Sequence, residues 1–265
     1  MTEQVLIPKD EKTLPIQKTA DNMNGLLKAH QYNPRSGDRS RKITSLAFPV
    51  SKGMTVLDAL LWLNEHRDAG LAFRYSCRMG ICGSCGMMIN GKPRLACETQ
   101  IKDLGNTVDV APLPGFPLIR DLVTDFDPFL RHHTEIKPYL IRDASVDHNP
   151  IRIELFQTEK HLLDYYQFSM CIMCGLCDAA CPIVTTDPEF LGPQALAQAY
   201  RFEADSRDQG WAERARIVDT AHGCWDCKVA GSCSDVCPKG VDPALGVQLL
   251  KREILRGRIH RKSTH

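Results

Sequence analysis

Twelve cysteines in a chain of 265 residues fall into three tight groups, and no other feature restricts the fold so strongly. Thiols two to five residues apart suit metal ligation. A secreted disulfide scaffold is usually shorter and spreads its cysteines more evenly. The N-terminal stretch 1–14 carries acids early. It lacks the apolar core of a signal peptide and is not Arg-rich and acid-poor like a transit peptide, so the chain is expected to stay in the compartment where it is made. No run approaches the 18 or so apolar residues of a membrane span, so membrane contact is expected only through partners. The formal net charge of +1 gives no footing for nucleic acid.

Between about 26 and 120 the pattern is α+β. Leu46, Phe48 and Val50 alternate as a half-buried strand would. Thr55, with Asp58 at the third helical position, predicts a capped helix over 56–64, with Gly70 as its stop. Residues 87–89, the pair Asn90-Gly91 and residues 93–96 read as a hairpin with a primed turn, and 108–110 as a further strand. The Pro/Gly-rich stretch 111–117 can continue neither a strand nor a helix. It divides a domain at 23–118 from one at 119–265, with a loose arm at 1–22. Beyond it the spacing is helical at 162–170, 194–201, 211–219 and 244–256. The last of these has Asp242 as cap and Pro243 at its first position.

The first group is Cys77-x4-Cys82-x2-Cys85 with Cys97 eleven intervening residues later, the plant-type spacing for a 2Fe–2S cluster. Two irons need two pairs of thiolates: a compact loop supplies three, and the hairpin returns the fourth. Gly80, Gly83 and Gly86 thread the loop, where glycine permits positive φ and lets backbone N–H groups face the sulfurs. They form no dinucleotide fingerprint, since their spacing is G-x-x-G-x-x-G and no strand–loop–helix unit surrounds them. Arg74 and Arg78 flank the loop, either as solvated charges or as groups that offset the cluster charge or meet a partner.

The second and third groups are imperfect copies of one unit. Cys171-x2-Cys174-x2-Cys177-x3-Cys181-Pro182 is echoed by Cys227-x5-Cys233-x3-Cys237-Pro238. In two-cluster ferredoxins the fourth cysteine of such a run ligates the other cluster. The repeat therefore assigns Cys171, Cys174, Cys177 and Cys237 to a 4Fe–4S cluster, and Cys181, Cys227 and Cys233 to a third cluster. A complete second copy would carry cysteine at 230, where this chain has Ala230. Alanine leaves one iron corner empty, which predicts 3Fe–4S. Cys224, three residues before Cys227, keeps an alternative open: with it as an extra ligand the third cluster is 4Fe–4S, and without it Cys224 is a buried small residue or a spare thiol. Structural zinc at three four-ligand sites is the competing account of all twelve thiols. Zinc favours two separated cysteine pairs over these runs.

The segments Arg78-Met-Gly-Ile-Cys-Gly-Ser-Cys-Gly86, Asn90-Gly-Lys-Pro-Arg-Leu-Ala-Cys97, Pro112-Leu-Pro-Gly-Phe-Pro117 and Cys233-Ser-Asp-Val-Cys-Pro-Lys-Gly240 together closely resemble the succinate dehydrogenase/fumarate reductase iron–sulfur subunit. The resemblance runs from about 23 to 255. It implies an N-terminal β-grasp 2Fe–2S ferredoxin-like domain followed by an all-α helical ferredoxin domain. It further implies a relay from FAD of a separate flavoprotein subunit through 2Fe–2S, 4Fe–4S and 3Fe–4S clusters to a quinone beside a membrane-anchor subunit. By that likeness the chain is a peripheral subunit on the cytoplasmic face of a prokaryotic membrane. It carries electrons and does not itself bind the dicarboxylate, the chemistry being borne by the cofactors.

Around the expected quinone site the sequence departs from familiar members of the family. Thr186 stands after Cys181-Pro182 where they often have tryptophan, and Lys228 follows Cys227 where they often have histidine. Pro182, Thr186, Trp225 and Lys228 are the residues expected near the quinone, with Trp225 either a substitute aromatic or a packing residue. His132-His133 reads as a solvated pair, because adjacent residues do not share a helix face. The basic end from Arg256 reads as a frayed terminus that could otherwise meet anionic lipid. A wire for a different flavoprotein, as in a thiol-coupled fumarate reductase, would be favoured by an added cysteine-rich C-terminal domain, which is not expected here because no cysteine follows Cys237.

Overall fold

The computed structural model describes residues 25–35, 42–142 and 155–262, the side chains of 258–262 excepted, so the expected arm at 1–22 lies outside the described residues. The N-terminal half is a five-stranded mixed sheet crossed by one helix. Strands β1 (Gly25–Gln31), β2 (Lys42–Phe48), β3 (Gly86–Ile89), β4 (Lys92–Leu95) and β5 (Thr107–Ala111) lie in the order β2-β1-β5-β3-β4. β1 and β5 pair in parallel from Leu26↔Thr107 to Ala29↔Val110, and the other pairs are antiparallel. Helix α1 (Val56–Arg67) buries Val56, Leu57, Ala59, Leu60 and Leu63 in the same core as Leu27, Ala29, Phe48, Val108 and Val110.

Local chemistry sets these elements. The Thr55 hydroxyl accepts from Asp58 N, and Asp58 Oδ2 accepts from Thr55 N, the two halves of a capping box. Asn90 (φ 47°) and Gly91 (φ 73°) take the left-handed turn that joins β3 to β4. Pro93 is tolerated in β4 because that strand is at the sheet edge.

After the Pro/Gly stretch, β6 (Leu118–Arg120) and β7 (Val123–Thr124) form a small hairpin tied to the first half. Asp121 accepts from the backbone of Tyr32 (2.9 Å) and Ala72 (3.0 Å), and Leu122 sits in the N-terminal core. Among the described residues the remainder is helical: α2 (Asp127–Glu135), α3 (Glu159–Leu163), α4 (Tyr166–Ser169), α5 (Leu176–Ala180), α6 (Gly192–Glu203), α7 (Trp211–Val218), α8 (Ser232–Asp235) and α9 (Pro243–Lys262). Helix α6 is the centre of the second core, with Ala195, Leu196, Ala197 and Ala199 at most 2% exposed. Leu176 and Ala179 of α5 pack in the first core, which joins the halves.

Several expectations give way to the structure. Val50 lies past β2, because Pro49 ends the strand. Helix α1 stops at Asp68, which itself takes the left-handed conformation (φ 48°), before Gly70 is reached. The helix expected at 162–170 is two short pieces. The basic end expected to fray is helical as far as Lys262. His132 and His133 are half-buried, and His133 Nδ1 is 3.2 Å from Gln194 Nε2, because α2 packs on α6. The strand β1 has no counterpart among the sequence expectations.

Candidate functional site

Three thiols of the first set, Cys77, Cys82 and Cys85, sit on the loop between α1 and β3, and the fourth, Cys97, follows β4. Cys77 Sγ accepts from the backbone N–H of Met79 (3.5 Å), Ile81 (3.3 Å) and Cys82 (3.2 Å), and Cys97 Sγ from Gly80 N (3.2 Å). Cys82 Sγ lies 3.1 Å from Ser84 Oγ. The loop achieves this by left-handed residues at Arg78, Gly80 and Gly83. Gly86 differs: it opens β3 without positive φ, and a Cβ there would stand 3.1 Å from Leu176. Arg74 and Arg78 lie over the rings of Phe126 and Tyr75, at 6.0 and 5.3 Å from their centroids.

These donors stabilise negative sulfur. The Ser84 hydroxyl first, then Cys77 N–H, hold the exposed Cys82 thiol down to about 6, while burial pushes Cys85 up to about 12. Cys82 is thus prepared as a thiolate, and Cys85 is costly to ionise without a metal to take the proton's place.

The other two sets line two cavities. Cys171, Cys174, Cys177 and Cys237 line one, together with Gln194, Gln198, Pro238 and Lys239. Cys181, Cys227 and Cys233 line the other, together with Pro182, Lys228 and Ala230. Each cavity therefore takes three thiols or two from one copy of the repeat and one Cys-Pro cysteine from the other. Burial raises Cys174 and Cys233 to about 11 and Cys177 further. All twelve cysteines are free thiols. Among the described residues no three His, Cys, Asp or Glu side chains converge tightly enough for a single ion. Four thiols around one cavity and three around the other are a donor set suited to polynuclear iron–sulfur clusters.

Cys224 lies in a 3₁₀ turn (Cys224–Asp226), fully buried in the second core, with its thiol raised to about 12, and is not among the residues lining either cavity. Of the residues expected near a quinone, Pro182 and Lys228 line the third thiol set's cavity. Thr186 bonds to the carbonyls of Pro182 and Ile183. Trp225 donates to Asp219 Oδ1 at 2.6 Å and packs on the second core.

The three sets lie in series. Gly83 of the first loop is pressed against Cys174 of the second set: a Cβ at Gly83 would stand 2.7 Å from Cys174 Cβ. Helix α5 then carries Cys177 of the second set and ends at Cys181 of the third. Sequence reasoning did not single out Gln194, which is buried beside Cys171. Only its position near the start of a helix following Cys-Pro could have drawn notice.

Comparison with known proteins finds two cluster-binding domains. A family model described as a 2Fe-2S iron-sulfur cluster binding domain matches residues 26–131, and one described as a 4Fe-4S dicluster domain matches 167–241. The fumarate reductase iron-sulfur subunit of Mycobacterium tuberculosis (strain CDC 1551 / Oshkosh) is 48% identical over 77% of this chain and 82% of its own length. The succinate dehydrogenase iron-sulfur subunit of Paracoccus denitrificans is 34% identical over 94% of this chain and 96% of its own length. A chain of the Mycobacterium smegmatis Sdh1 complex in the apo form superposes with a TM-score of 0.78 at 26% identity, covering 89% of this chain and 97% of that one.

Proposed function

Because this chain belongs to the family of iron–sulfur subunits of fumarate reductase and succinate dehydrogenase, we propose that it relays electrons between the FAD of a flavoprotein subunit and a membrane quinone. When bound, 2Fe–2S, 4Fe–4S and 3Fe–4S clusters would each accept and release single electrons. Cys77, Cys82, Cys85 and Cys97 hold the first. Cys171, Cys174, Cys177 and Cys237 hold the second. Cys181, Cys227 and Cys233 would hold the third, with Ala230 lining the same cavity and supplying no thiol, and with Cys224 outside the ligand set.

The observation that carries this reading is the serial placement of the thiol sets, Gly83 against Cys174 and then α5 from Cys177 to Cys181. The protein's own part is to hold these groups close, to keep water from the buried thiols and to supply N–H donors to the sulfurs. The exposed side chains of Met79 (69%) and Ile81 (57%) beside the first thiols suit a flavoprotein docked over that end. Pro182 and Lys228 at the third cavity suit a quinone at the other. Among the described residues no helix is long and apolar enough to cross a membrane. In this reading an anchor subunit supplies the quinone's setting, on the cytoplasmic face.

The test is reduction of the chain within its assembled complex. Succinate should bleach its visible absorption, and an added quinone should restore it. Bleaching by dithionite but not by succinate would assign the wire to a different flavoprotein. A colourless, zinc-loaded protein would reject any wire.

A further inference from the structure

Gln194 is 2% exposed, lines the cavity of the second thiol set and has two bonding directions with different partners. Its backbone N–H donates to Asp178 Oδ1 at 3.1 Å, which anchors the start of α6 beside Cys177. Its side-chain Nε2 stands 3.9 Å from Cys171 Sγ and 3.2 Å from His133 Nδ1. Its Oε1 is buried without a partner. A residue kept there for packing alone would not carry an unsatisfied carbonyl, since an apolar side chain of the same length avoids that cost.

The orientation follows from the acceptors. A side-chain amide has two N–H donors, and here one meets a sulfur and the other an imidazole nitrogen. Turning the amide over would set Oε1, an acceptor, against a thiolate. His133 is half-buried, and burial lowers its affinity for a proton, so a neutral ring can offer Nδ1 as the acceptor.

We propose that the Gln194 side chain donates a hydrogen bond to the Cys171 sulfur of the second cluster, held in that orientation by His133, and so raises that cluster's reduction potential. The inference rests on the ligand assignment of the preceding subsection. Reduction adds negative charge to the cluster and its sulfurs, and a donor aimed at a ligand sulfur stabilises the reduced form more than the oxidised one. Gln194 is a positioning residue outside every cysteine motif. Gln198 lines the same cavity, but its Nε2 is committed to Phe168 O at 2.8 Å.

The experiment is an EPR-monitored redox titration of the assembled complex carrying Q194M, H133F or both. Q194M should lower the midpoint of the second cluster and leave the first and third where they are. Pulsed EPR in D2O should lose one exchangeable deuteron coupled to that cluster. H133F should lower the same midpoint by less, and the double variant should match Q194M alone. An unchanged second midpoint, or equal shifts of all three, overturns the proposal. If Q194M fails to incorporate the cluster, H133F decides: an unchanged midpoint there also overturns it. C171A separates the two levels of the argument, because survival of the second cluster's signal in C171A would overturn the ligand assignment beneath.

Discussion

The contact between the first thiol loop and the second thiol set can be perturbed at one atom. Gly83 and Gly91 share a φ of 73°. Alanine in the left-handed region costs about 1–2 kcal/mol, and both positions incur that. Their surroundings differ. A Cβ at Gly91 meets nothing within 4 Å. At Gly83 it would stand 2.7 Å from Cys174 Cβ, 2.9 Å from Cys174 Cα and 3.3 Å from Ile172 O. Ordinary contact begins near 3.4 Å, so one side must retreat by 3.4 minus 2.7, or 0.7 Å, and part of what must retreat is backbone. Overpacking of this kind adds about 1–3 kcal/mol. G83A should therefore unfold roughly 2–12 °C below G91A, at about 2–4 °C per kcal/mol for a chain of this size. The midpoint of heat-induced bleaching of the cluster absorption, taken for both variants at one fixed scan rate, measures this. EPR adds a second reading: G83A should weaken the magnetic coupling between the first and second clusters, and G91A should leave it intact. Equal thermal losses with unchanged coupling would refute the claim that Gly83 sets the approach of the two sites.

Other outcomes follow from the same geometry. Ala230 lines the third cavity, so A230C should supply the missing ligand, replacing the oxidised three-iron EPR signal by that of a reduced four-iron cluster. C224A should cost about 1 kcal/mol for the small cavity it opens while iron content stays at wild-type level, because Cys224 packs in the second core outside both thiol cavities. Burial, followed by the carboxylates of Glu253 and Asp208, raises Glu203 to about 8 against the opposing charge of Arg214. The folded state therefore binds this proton more tightly than the unfolded chain. The corresponding stability is complete below the unfolded value of 4.5 and is lost as pH rises through about 8. E203Q should accordingly gain in thermal midpoint over wild type as pH rises from 5 to 9, and a pH-independent difference would contradict that assignment.

The local devices were legible in the sequence and the distant contacts were not. The Thr55–Asp58 box, the Asn90-Gly91 turn and the Asp242-Pro243 start each act within a few residues, and each stands where the sequence places it. The cysteine spacings are equally local, and they match the division into a 2Fe–2S domain and a dicluster domain. β1 escaped notice because what buries it is its place between β2 and β5, the latter a parallel partner some eighty residues away. The stop of α1 at Asp68 depends on an aspartate adopting a backbone conformation expected of Gly70. Gln194 and His133 carry no motif. They become visible only when α2 is packed on α6, which brings an amide on one helix to a ring on the other and to a thiol on the loop between α4 and α5.

The central claim is that the two Cys-Pro segments exchange their last thiolates between neighbouring clusters, and cluster content in C181A and C237A tests it most directly. EPR of both oxidation states, with iron counted per chain, should show C181A lacking the three-iron signal with the four-iron cluster retained, and C237A the reverse. If C181A instead removed the cluster held by Cys171, Cys174 and Cys177, each run would be closing its own cluster and the account would be contradicted.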